Sequence, residues 1–140
     1  MEERVKPGGT GLFMVELLAS SGVFVLCAAV CIALFVKAET ISRRSETLSR
    51  AVSAAQTAAE YFRACGGDVM ETAALSGGRV ENGSLVIGYD AEWAVAEGTE
   101  VFTLTLTPAP EDRWVDGELT VTGSEGELLR WQVGALEAAS

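Results

Sequence analysis

One carboxylate stands inside an apolar run. Residues 12–36, LFMVELLASSGVFVLCAAVCIALFV, contain Glu16 as their single charged side chain. A carboxylate at the centre of a bilayer costs about 2.5–3.5 kcal/mol, and less near the ends of the span. Two arrangements relieve that cost. Glu16 can lie shallow enough to reach the headgroups, or an assembled state can bring a positive partner to it, since a paired buried charge is tolerable and a lone one is not. Cys27 and Cys31 lie in the same run, four residues apart on one helix face, a geometry that a local disulfide does not fit. Their expected role is that of small apolar side chains, and lone Cys65 is expected to be a buried thiol.

The rest of the chain offers little catalytic chemistry. It has no histidine, so the commonest general base and metal ligand is missing. No glycine-rich loop joins a strand to a helix, and no serine or thiol stands in a nucleophile motif. The expectation is a protein that is not an enzyme. Trp93, Trp114 and Trp131 could form a binding patch, but Trp114 and Trp131 fall on predicted strands, where core packing is expected.

The apolar run must itself be a helix. At 1.5 Å per residue it spans roughly 37 Å, enough to cross a hydrocarbon core of about 30 Å. A signal peptide's apolar region is about 7–15 residues, and no A-x-A cleavage site follows closely. The expectation is a retained single-pass membrane helix.

The local motif GLFMVELL, residues 11–18, resembles the processing site of type IV prepilins and type II secretion pseudopilins. The resemblance implies a cut between Gly11 and Leu12 by a prepilin peptidase and N-methylation of Leu12. It also implies a subunit-assembly role for Glu16, fifth in the mature chain. Helical spacing gives this a physical sense: positions one and five are an i, i+4 pair on one face. In a staggered bundle, Glu16 could then meet the free amine of a neighbouring subunit. Leucine occupies a first mature position where phenylalanine is commoner, and the leader carries Glu2 and Glu3 beside Arg4 and Lys6. Some pseudopilins hold calcium in a loop. Glu111, Asp112, Asp116 and Glu118 are close enough in sequence to be considered for it, but their spacing matches no known calcium loop. No other cofactor is expected.

Charge is uneven. The net charge is −10; residues 1–66 carry seven basic and six acidic side chains, and residues 67–140 carry three basic and 14 acidic ones. So acidic a distal part repels nucleic acid and anionic lipid, and its expected role is a solubilising outer face. Basic residues flank the apolar run on both sides, Arg4 and Lys6 before it and Lys37, Arg43, Arg44 and Arg50 after it. Positive-inside counting alone favours a cytoplasmic C-terminal side. The family resemblance implies the opposite: a cytoplasmic leader and an extracytoplasmic head.

Residues 1–11, with three glycines and a proline, are expected to be a disordered leader. From 37 to 65 the helix is expected to continue, since neither Pro nor Gly occurs between Val23 and Cys65. Ile41, Leu48, Val52, Ala55, Ala59 and Phe62 recur as one helical face, and Gly66 and Gly67 should end it. A short helical turn is expected at 69–75, then turns at Gly77, Gly78 and Asn82-Gly83. Period-two patterns predict strands over 85–89, 100–107, 114–122 and 127–133, with a weaker one over 93–96. Pro108 and Pro110 should break the second of these, Gly123-Ser124-Glu125-Gly126 should be a turn, and residues 136–140 a frayed tail. The short loops argue for an antiparallel meander whose apolar face covers the helix stripe.

The expected fold is therefore α+β and pilin-like, a long N-terminal α-helix packed on a small C-terminal antiparallel β-sheet. Its parts are a leader (1–11), a transmembrane half-helix (12–36), an extracytoplasmic half-helix (37–66) and an acidic β head (67–140). The resemblance implies a subunit of a type IV pilus, type II secretion or competence-type filament. Its partners would be prepilin peptidase, other pilin-like subunits, and membrane lipid before assembly. The alternative is a monomeric, single-pass anchored binding protein that keeps its N-terminus.

Overall fold

The computed structural model describes residues 8–111 and 114–136. Helix α1 (Gly8–Ala64) is followed by α2 (Val69–Ser76) and strands β1 (Arg79–Glu81), β2 (Ser84–Tyr89), β3 (Phe102–Glu111), β4 (Trp114–Gly123) and β5 (Gly126–Leu136). The chain divides into two compact units, one reaching Arg44 and the other beginning at Ser45.

In the first unit α1 is long and apolar enough to cross a membrane. Every residue over 9–46 is exposed. The last four residues of the expected disordered leader, Gly8 to Gly11, are helical. Extending an existing helix backward avoids the nucleation cost, and each glycine then loses only about 1 kcal/mol relative to alanine. Beyond the apolar run the helix surface carries an i, i+4 ion pair, Glu39–Arg43 at 2.7 Å.

The second unit is a helix–sheet sandwich. The sheet is an antiparallel meander in the order β1-β2-β3-β4-β5. Alternation sets its inner face. Across the register, Leu85, Leu106, Leu119 and Trp131 form one row, and Ile87, Leu104, Val121 and Leu129 the next. The first three side chains of each row are at most 1% exposed. Against these rows lie Ala51, Ala55, Ala58, Ala59 and Phe62 of α1. The seam is mostly alanine, which lets a helix backbone approach a sheet closely. The expected stripe is thus shifted: Val52 is half-buried, while Ile41 and Leu48 are exposed. The buried face begins at Ala51.

Local signals account for the junctions. Gly66 and Gly67 adopt φ of 61° and 84° after the last helical turn. Asp68 caps α2, its side chain accepting from the amides of Met70 (2.8 Å) and Glu71 (3.2 Å). An Asp68→Ala variant should lose about 1 kcal/mol of head stability, a few degrees in thermal melting; an unchanged melt would show that the cap contributes nothing. Asn82 (φ 51°) and Gly83 (φ 80°) form a tight turn with both central residues left-handed. That turn pairs 84–89 with β1, a strand too short to show in the periodicity. Gly123 pairs with Gly126 around a two-residue turn, Ser124-Glu125.

Three further expectations are corrected. The 93–96 segment is not a strand; it makes a single bridge, Val95 to Tyr89. Pro108 and Pro110 do not break β3, which continues through them opposite Gly117 and Val115. The register with β2 ends at Leu85–Leu106. Past that point β3 is an edge on one side, and two prolines of the same parity can turn their hydrogen-less nitrogens to it. Finally, β5 runs to Leu136 rather than ending at 133; 137–140 lie outside the described residues.

Candidate functional site

Gly11, Leu12 and Glu16 all lie on α1, within little more than one helical turn. Glu16 is exposed, and among the described residues no side chain bonds to it or pairs with it. Leu12 stands one turn N-terminal to it and is 72% exposed. In the intact chain the nitrogen of Leu12 belongs to the helical peptide ladder, so it supplies no positive charge. An ammonium group would exist there only if the bond to Gly11 were cut. A Cβ built on Gly11 would meet nothing within 4 Å. Packing within the described chain therefore places no demand for glycine at that position.

Of the acidic quartet, Asp116 and Glu118 are the members whose side chains are described. Among the described residues no group of three or more potential ligands is found. Asp112 lies outside them. Asp116 and Glu118 have even parity on β4, whose odd residues Leu119 and Val121 face the core, so both are on the outer face. Glu118 pairs there with Arg130 at 3.4 Å. The same parity corrects the expectation for Trp114. It is 54% exposed, opposite Leu136, and not a core residue. Trp131, on the inner row, is half-buried. Cys65 is buried, as expected, and Cys27 and Cys31 are exposed on α1.

Sequence reasoning missed a groove in the second unit. It has a volume of about 370 Å³ and runs between α1, the end of α2, β2 and the loop after it. Arg50, Thr57 and Tyr61 line the helix side, and Tyr89, Trp93 and Val95 line the sheet side. The loop is tightly built. The Asp90 carboxylate accepts from the amides of Glu92 (3.0 Å) and Ala94 (2.9 Å). This holds Trp93 at φ 65°, a left-handed conformation that bulky residues seldom adopt. Its indole stacks on Phe102, centroids 4.2 Å apart and planes 13° from parallel, and tilts against Tyr89 at 5.7 Å. Burial pushes the Tyr89 phenol above its ordinary pKa. These residues come from four separated stretches of chain, and no local motif announces them.

No family model matches the chain, and no curated protein or solved structure matches it at a significant level.

Proposed function

We propose that this protein is a pilin-like filament subunit. It is inserted in the membrane through α1, cut between Gly11 and Leu12 by a prepilin peptidase, and assembled through its N-terminal helix. The observation that carries the reading is Glu16: a lone carboxylate in an otherwise apolar helix, exposed and without a partner among the described residues, one turn from the residue whose nitrogen the cut would free. A glycine that nothing in the described chain requires supports it, because the requirement then falls on whatever recognises the segment. The reading places the leader in the cytoplasm and the acidic head outside it. The mature subunit is a structural element, not a catalyst.

The test is the mass of the membrane-extracted protein. The expected N-terminus is Leu12, heavier by one methyl group. An intact leader would defeat the reading.

One observation favours the alternative, an anchored monomer with an uncleaved N-terminus. The Gly11–Leu12 bond lies inside a helix, and a peptidase needs its substrate locally extended. On the filament reading, Gly8, Gly9 and Gly11 reconcile the two, since each weakens the first turns by about 1 kcal/mol and lets them fray. A Gly8→Ala/Gly9→Ala double variant should therefore be processed roughly thirtyfold more slowly, or less completely, as about 2 kcal/mol of helix is restored. Unchanged processing in a pulse–chase measurement would show that local opening does not limit the cut.

A further inference from the structure

Two apolar surfaces of the head are exposed, and they differ in shape. One stands out from the sheet. Trp114 and Leu136 face each other across β4 and β5, each more than half exposed. Their next neighbours on that outer face are Asp116 and Gly134, so no large apolar side chain shields them there. The Asp116 carboxylate leans over the glycine: a Cβ on Gly134 would lie 3.2 Å from its Oδ1. Asp116 makes no hydrogen bond or ion pair among the described residues. The other surface is the groove, about 370 Å³ in volume and lined by the exposed side chains of Tyr61, Leu75 and Val95, with Arg50 beside them.

We propose that Trp114 and Leu136 of one copy of this chain dock in the groove of a second copy, where Asp116 meets Arg50. The choice of a second copy rests on the filament reading, while the two surfaces belong to the head alone.

The two surfaces do not meet within one chain. Tyr89, in the groove, pairs with Phe102 of β3, whereas Trp114 pairs with Glu111, nine residues further along the same strand. At about 3.4 Å per residue that separates them by roughly 30 Å. A contact between unlike surfaces is heterologous. It does not close on itself as a two-fold dimer does, and its repetition gives a ring or an open helical fibre.

Charge selects the mate of Asp116. Residues 67–140 carry 14 acidic and three basic side chains, so two heads repel each other unless a cation stands at their contact. In the second unit the other described cations are committed. Arg79 is held by Glu81 and Glu100, and Arg130 by Glu118 and Glu127. Arg63 donates to the Gly134 carbonyl at 3.2 Å. Arg50 has a single carboxylate, Glu46 at 3.3 Å, and both side chains are more than half exposed. Such a surface pair contributes little and is readily exchanged. Two side chains in a groove make a small contact, weak in isolation. Where α1 holds copies together in one bilayer or fibre, the raised effective concentration lets it form.

The experiment is disulfide cross-linking of full chains in membranes, with Cys27 and Cys31 replaced by alanine. Chains carrying Leu136→Cys are co-expressed with chains carrying Leu75→Cys. A mixed disulfide dimer is expected, at least tenfold above the dimer from either variant alone. Trp114→Ala should lower its yield about tenfold, the loss of an aromatic anchor. Asp116→Arg should lower it as far, and adding Arg50→Glu should restore it, which a merely structural role for either residue would not do. All the substituted head residues are exposed, so the core is untouched. Absence of the mixed dimer, indifference to Trp114→Ala, or no recovery on charge exchange would overturn the proposal. So would capture of Leu136→Cys by a different protein, or its shielding by lipid from a water-soluble maleimide, in place of the mixed dimer. A Leu12 N-terminus without the mixed dimer refutes this contact and leaves the filament reading standing; a mixed dimer of chains that keep their leader does the reverse.

Discussion

On the filament reading, Glu16→Val should leave the protein in the membrane, cut and folded, yet absent from filaments. The sign follows from two environments. In the unassembled protein the carboxylate stands in an apolar helix with no partner among the described residues. Removing it makes the membrane-embedded monomer more comfortable, by up to about 3 kcal/mol at mid-bilayer depth. In the proposed assembly the same carboxylate meets a neighbour's free amine, and a pair in a low-dielectric setting is worth far more than one in water. Valine forfeits that pair while relieving the monomer, so both terms push subunits out of the fibre. A drop of roughly a hundredfold in sheared-filament content corresponds to about 2.7 kcal/mol, the scale of the insertion term alone. Glu16→Asp, whose charge stands one methylene further back, should fall between. Membrane abundance and N-terminal mass serve as controls, since residues over 9–46 are all exposed and the substitution touches no packed core. Valine subunits found in fibres at the unmodified level would remove Glu16 from the assembly mechanism.

How much of this could be read from residue order depends on whether a signal was local. The alternation of Phe102, Leu104 and Leu106 with threonines is local, and it names the inner face of β3 correctly. The glycine pair after α1 and the Asn82-Gly83 turn are equally local, because a left-handed backbone is a property of two residues. Pro108 and Pro110 were opaque for the opposite reason. A proline breaks a strand only where both sides are paired, and whether β2 reaches that far is a matter of register. Trp114 shows the same dependence: hydrophobicity suggests the core, and its position relative to Leu119 and Val121 puts it outside. Periodicity found the helix face but not its limits. Ile41 and Leu48 continue the stripe numerically, yet burial starts only at Ala51. The Gly11–Leu12–Glu16 motif is legible because, on the proposed reading, it would be a linear signal for another protein. The groove is not, since Arg50, Ser76, Tyr89 and Trp93 meet only through the fold.

Phe62→Ala should destabilise the head strongly, because that ring fills a space made for it. Phe62 is fully buried. It is the one large side chain on a helix face otherwise built from Ala51, Ala55, Ala58 and Ala59. The sheet opposite leaves room for it at Gly117, an inner-face position of β4 where Leu119 and Val121 show that a branched aliphatic is the rule. A Cβ there would lie 3.6 Å from the Phe62 ring and 3.2 Å from the Leu106 side chain. Alanine seams cannot close such a void, since their side chains have nothing further to extend. Truncating a buried phenylalanine costs about 3–5 kcal/mol, against a total of about 5–15 kcal/mol for a domain. The expected result is a urea midpoint shifted down by about a fifth or more, with near-UV signal lost first. Gly117→Ala should be milder, about 1–3 kcal/mol, since its contact with Leu106 demands only a small repacking. The two changes are coupled: an alanine at 117 partly refills the space Phe62 vacates, so the double variant should be more stable than the sum of the single costs implies. Strict additivity would mean that ring and glycine do not share one cavity, and the helix–sheet seam would then owe its stability to the alanines alone.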